Sequence, residues 1–287
     1  MVKTATTRGD KLFDFGINTF LILVLIVTIV PLAYVVIISV APLVLPNQPT
    51  PLVSFAAYSE LLTQASFLRA TINSTVLLIG GVSLNMILTT LSAFALSRKS
   101  LPGRGAILTF ILFTFLFNAG LIPQFLLVKN LGLLDTLPSV VLPGAISVYN
   151  LLIMMAFLQN LPESLGEAAR IDGASEFQVL RYVILPLSKP ILLTVALFYA
   201  VNNWNEFFLP ILFLNDKDLM PLPVVLRDIL SSLNSSEYID NNRQATIASP
   251  EAVKMAAVIL TTLPMLMIYP WIQRHFTKGV LLGGVKE

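Results

Sequence analysis

Apolar stretches close to the ~20 residues that a helix needs to cross a bilayer recur along this chain, at 17–40, 70–97, 106–128, 138–158, 190–214 and 252–272. Hydrophobic residues fill 56% of its 287 positions and charged residues 12%, against about 45–50% and about 25% in soluble domains. The expected fold class is therefore all-α: a polytopic membrane protein of six transmembrane helices, built as a single transmembrane domain over 1–287. Lys3, Arg8 and Lys11 precede the first stretch, and Ser39-Val40-Ala41 is faintly like a cleavage site. That apolar run is too long for the core of a secretory signal, so it is read as an anchor.

Six spans put both termini on one side, and the basic residues choose the side. Lys3, Arg8, Lys11, Arg98, Lys99, Arg104, Arg170, Arg181, Lys189, Arg274, Lys278 and Lys286 fall with the termini. Arg69, Lys129, Lys217, Arg227, Arg243 and Lys254 fall opposite. The excess makes the termini cytoplasmic. Of the long polar segments, 159–189 then lies inside, and 41–69 and 215–251 outside. There is no cysteine and one histidine, His275, so no disulfide framework or Cys-based metal site is available, and no metal is expected.

In the inner segment, Asn160-Leu161-Pro162-Glu163 supplies a capping Asn, a Pro in the first turn and a Glu at the third position, which predicts a helix start. Gly173 suits the left-handed conformation that ends a helix. Ser175-Glu176-Phe177-Gln178 is a fresh capping box for a second short helix, which is expected to end at or before Leu185 because Pro186 comes next. Glu163 and Glu167 are like charges one turn apart, and Ala168 and Ala169 keep no partner at a distance. A partner bringing positive charge relieves the repulsion; a solvated connector is the other reading these residues allow.

Glu167-Ala168-Ala169, then Asp172-Gly173, then Leu185-Pro186 resembles the EAA loop of ABC importer permeases. Val183 stands where Ile is usual. The resemblance implies a type I ABC importer permease fold, in which this loop is the coupling helix seated on an ATP-hydrolysing subunit. It further implies that Glu167 pairs with a basic residue there and that Gly173 supplies the bend. Trp204-Asn205-Glu206-Phe207-Phe208 and the tail Arg274-His275-Phe276-Thr277-Lys278-Gly279-Val280 are similar to the carbohydrate-uptake branch. The ending Gly283-Gly284-Val285-Lys286 is most similar to permeases for polysaccharides or complex oligosaccharides. The likeness implies a bacterial inner-membrane transport subunit rather than an enzyme. Its expected partners are an ATPase dimer that binds the ATP and Mg, a second homologous permease, an extracytoplasmic solute-binding protein and an oligosaccharide; 215–251, with Asn234-Ser235-Ser236-Glu237, is where the binding protein is expected to touch. Membrane lipid surrounds the chain, and no nucleic acid is involved.

The fifth span carries the polar patch. Tyr199, Asn202, Asn203 and Glu206 keep the spacing of one helix face, with Asn205 at its edge and Trp204 turned away. A charge this deep costs on the order of 2.5–3.5 kcal/mol, so the stripe is expected to face protein or a water-filled path, where amides and a carboxylate suit a hydroxyl-rich ligand. Pro210 cannot bond the carbonyl of Glu206, so a kink or loosening is expected there. Interhelical hydrogen bonding is the simpler alternative for these amides. Asn118, Gln124, Asn150, Thr261, Thr262 and Tyr269 are read as packing residues. There is no phosphate loop, His-Glu-x-x-His or Gly-x-Ser-x-Gly motif, which argues against nucleotide hydrolysis by this chain and against an enzyme. The remaining rivals are a permease for another solute and a secondary carrier using Glu206 as its ion site.

Overall fold

A computed structural model describes residues 8–42, 52–117, 119–232 and 248–283, with backbone alone for 8–12, 232 and 269–283. The described residues form helices joined by short turns. They are α1 (Arg8–Ser39), α2 (Ala56–Thr63), α3 (Ala65–Ser97), α4 (Arg104–Leu116), α5 (Leu121–Asn130), α6 (Pro138–Val141), α7 (Val148–Gln159), α8 (Glu163–Ile171), α9 (Glu176–Gln178), α10 (Leu185–Leu187), α11 (Lys189–Asn205), α12 (Phe208–Phe213), α13 (Leu222–Ser232) and α14 (Pro250–Gly283). Phe13–Ser39, Ala65–Ser97 and Pro250–Ile268 are each long and apolar enough to cross a membrane, and three bent helix pairs bring the number to six only if each pair is one span.

The contacts divide into two compact units, Met1–Gln64 with Ile229–Thr261, and Ala65–Asp228 with Thr262–Glu287. In the first, the Tyr58 hydroxyl donates to Ser39 Oγ at 2.8 Å and ties α2 to the end of α1. Ser249 Oγ accepts from Ala252 N–H, with Pro250 in the first turn where its missing N–H costs nothing. The apolar side chains of α1 point outward along its length, Phe20 at 66% and Leu32 at 62% exposure, as a helix facing lipid or another subunit must.

The second unit is built on α3, α7 and α11. Ala93 and Leu96, Leu151, Met154 and Leu158, and Ile191, Val195 and Tyr199 form one buried cluster. Its polar tie is Tyr199, 2% exposed. The hydroxyl bonds Thr89 Oγ1 at 2.6 Å and accepts from the Ser147 N–H at 2.9 Å. Ser147 in turn caps α7 by accepting from Asn150 N–H. At the other end of α3, Ser74 Oγ accepts from Leu222 N–H, Asn73 donates to the carbonyls of Asp218 and Met220, and Arg69 pairs with Asp218 at 2.5 Å.

Several expected boundaries move. The 106–128 stretch is divided between α4 and α5, and 138–158 bends by 53° between the 138–144 turn and α7. The fifth stretch breaks at Glu206, whose φ −66° and ψ 118° are extended, so Pro210 falls in the first turn of α12, where no N–H is required of it. The last helix runs eleven residues past the expected 272, to Gly283.

Candidate coupling unit and candidate pathway

The segment 163–187 folds by local rules. The α8 helix begins at Glu163 behind Pro162, later than the Asn160 cap predicts. Asn160 instead caps the end of α7 and donates back to the Ala156 carbonyl. The helix ends as expected: Gly173 takes φ +83°, its N–H reaches the Arg170 carbonyl, and the Ala174 N–H reaches that of Ala169, both at 3.0 Å. Those are the two bonds of a Schellman cap. Ser175 and Gln178 form the reciprocal capping box. The second helix does not stop before Pro186. A π-helical turn, Val179–Ile184, widens the coil so that the ring does not collide with the carbonyl one turn back. The chain then passes through Pro186 and swings 85° into α11.

This unit leaves Ile171 86% and Phe177 63% exposed on either side of the Gly173 bend, with Glu167, Ala168 and Asp172 also open. Leu185 is half-buried and Pro186 exposed. On the inner side Glu176 accepts from Arg98 and, at 3.0 Å, from Arg170. The hydrogen bond from Arg98, joined by that from Arg170 and by both positive charges, holds Glu176 at about 2 against the ordinary 4.5.

The polar patch of the fifth span is divided between buried and exposed positions, and α11 ends before its last member, Glu206. Tyr199 is locked among helices by the two bonds of its hydroxyl. Asn203 turns toward α3, so that a Cβ on Gly81 would stand 2.6 Å from its Nδ2, and that buried nitrogen has no hydrogen-bond partner. Glu206 lies beyond the end of α11, and its carboxylate accepts from the N–H groups of Phe208 and Leu209 at 3.0 and 3.1 Å, starting α12. Asn202 and Asn205 are exposed; Asn205 donates to the Val201 carbonyl, which leaves its oxygen open. Trp204 is buried.

Beside these exposed amides stand two aromatics that the sequence patterns do not single out. Tyr149 and Phe198 are 55% and 39% exposed, with ring centroids 6.3 Å apart. Phe198 sits one turn before Asn202, a spacing visible in the sequence; Tyr149 arrives through tertiary packing alone. Asn150 and Thr261 are buried and Gln124 is half-buried, while Asn118, the side chain of Tyr269, that of His275, and 234–237 lie outside the described residues. Among the described residues no cluster of His, Cys, Asp or Glu fits a metal ion.

A second carboxylate shapes the loop after α12. Asp135, at φ +57°, accepts from the backbone N–H and, at 3.1 Å, the side chain of Asn215, and from Asp216 N–H at 3.1 Å. These bonds, the Asn215 N–H first, hold its carboxyl below the ordinary 3.8.

Apolar helices of membrane-spanning length are joined here to an exposed two-helix unit. The chain belongs to the binding-protein-dependent transport system inner membrane component family, whose model matches residues 4–282; it is a multi-pass inner-membrane permease and not an enzyme. It is 38% identical to the polygalacturonan/rhamnogalacturonan transport system permease protein YtcP of Bacillus subtilis, over 96% of this chain and 99% of that one. It is also 38% identical to the Bacillus subtilis protein LplC, over 98% and 97%. The crystal structure of a bacterial ABC transporter importing the acidic polysaccharide alginate matches with a TM-score of 0.88 at 29% identity, covering 96% of this chain and all of that one.

Proposed function

We propose that this chain is one of two permease halves of an ABC importer for an oligosaccharide, crossing the membrane six times with both termini in the cytoplasm. An ATPase dimer drives it, a second homologous permease completes the pathway, and an extracytoplasmic binding protein delivers the cargo. The observation that carries the reading is the exposed apolar surface at Ile171 and Phe177 around the Gly173 bend. So apolar a surface on a polar connector is a partner's seat, and Glu167, Ala168, Ala169, Asp172, Leu185 and Pro186 belong to it. A sugar cargo is supported by the relatives, which transport polygalacturonan, rhamnogalacturonan and alginate.

The pathway wall from this chain is Asn202 and Asn205 with Tyr149 and Phe198. Amides pair with hydroxyls, and an aromatic face offers an apolar platform of fixed shape. Tyr199, Asn203 and Glu206 stand behind that wall and hold it in place. With its carboxylate accepting two N–H groups, Glu206 serves as a helix cap, which removes the main support for a carrier with an ion site there.

The test is ATP hydrolysis by the reconstituted complex against a panel of oligogalacturonides, alginate oligomers, neutral oligosaccharides, amino acids and peptides. Stimulation by one glycan class names the cargo. Stimulation by amino acids or peptides alone discards the sugar, and transport without nucleotide discards the importer.

A further inference from the structure

One carboxylate joins the coupling unit to the end of α3. Glu176 of α9 takes Arg98 on Oε2 and Arg170 of α8 on Oε1. Arg98 comes directly after the last residue of α3, and its guanidinium lies 4.4 Å from the centroid of Phe94, one turn back on that helix. Arg104 adds a hydrogen bond to the Leu96 carbonyl at 2.8 Å, so the negative end of α3 is gripped by cations. Arg170 also covers Gly166, where a Cβ would stand 3.5 Å from its Nη1. Phe94, Arg98, Gly166, Arg170 and Glu176 rim a cavity of about 540 Å³ between the ends of α3 and α7 and the α8 helix. The ion cluster stands at the edge of that open space, beside the apolar contacts that Leu161 and Ile184 make with the α3–α7–α11 cluster.

We infer that Arg98, Glu176 and Arg170 form a positioning clamp that makes α3 and the coupling unit move as one body. Ion pairs this exposed add little to stability, so stability does not explain the cluster. Its geometry does: each oxygen of one carboxylate is committed to a planar guanidinium from a different element, which fixes direction as well as distance. Displacement of α8 and α9 then reaches α3. It passes on to α11 through the Thr89–Tyr199 bond and the contact of Gly81 with Asn203. The inference rests on the proposed coupling role of 163–187.

The chain has no cysteine, so nitroxides on Ser100→Cys and Ser164→Cys report the distance across the clamp in the assembled transporter. The expected result is a single narrow distribution, the same without nucleotide and with AMP-PNP. Glu176→Gln and, from the other side, Arg98→Gln are expected to split it when AMP-PNP binds. A further label at Ile171→Cys, immobilised on addition of the ATPase, reports the seat itself. An Ile171 label that stays mobile overturns the coupling role, whatever the distance pair reads. An immobilised Ile171 label with an undisturbed distance in both Gln variants overturns the clamp alone.

Discussion

Tyr199 shows how much one side chain in this bundle carries. Its hydroxyl serves the buried Thr89 of α3 and the partly buried Ser147 N–H at the start of α7. Tyr199→Phe keeps the ring and leaves those two groups unpaired, which costs about 1–3 kcal/mol for a buried donor or acceptor. The detergent-solubilised complex should melt at a lower temperature, while transport per folded molecule stays near normal. An unchanged melting temperature would mean that water replaces the phenol. Asn202→Ala makes the contrasting case: on the open face it should leave melting unchanged and raise the half-saturating concentration for uptake, and unchanged uptake kinetics would remove it from the pathway wall.

Among the elements, the α8–α9 unit is the one whose shape a point substitution addresses most directly. Gly173 sits at φ +83°, a region that costs a residue with a Cβ about 1–2 kcal/mol, more for a β-branched one. Gly173→Val should therefore unseat the bend: insertion and basal hydrolysis persist while uptake falls, and normal uptake would refute the coupling role. At the α3–α11 contact, Gly81→Ala presses on Asn203 Nδ2 at 2.6 Å. It should reduce uptake, and adding Asn203→Ala should restore it; failure of the second change to help would place the fault elsewhere. How much of these elements is legible in the sequence depends on range. The Gly173 stop and the Ser175–Gln178 box are settled within a few residues, so the pattern alone locates them. Pro186 and Pro210 are legible as disturbances but not as outcomes. A π turn before one and a break four residues ahead of the other each remove the clash, and the surrounding packing selects between such solutions. The exposed face shared by Phe198, Asn202 and Tyr149 depends on α7 lying against α11, which no spacing within α11 reports.

For the molecule as a whole, the proposed topology has a direct test in a chain without cysteine. Lys217→Cys should react with a membrane-impermeant maleimide in intact cells, and Ser164→Cys only after permeabilisation. Labelling of Ser164→Cys in intact cells would invert the orientation. The outward apolar face of α1 fits the proposed assembly, in which lipid or a second permease covers it.

The break at Glu206 also bears on how such a chain can diverge. α11 ends there because the Glu206 carboxylate takes the N–H groups of Phe208 and Leu209 and starts α12. The break is thus set apart from the exposed side chains of Asn202, Asn205, Phe198 and Tyr149, which can be exchanged without moving the point where α11 ends.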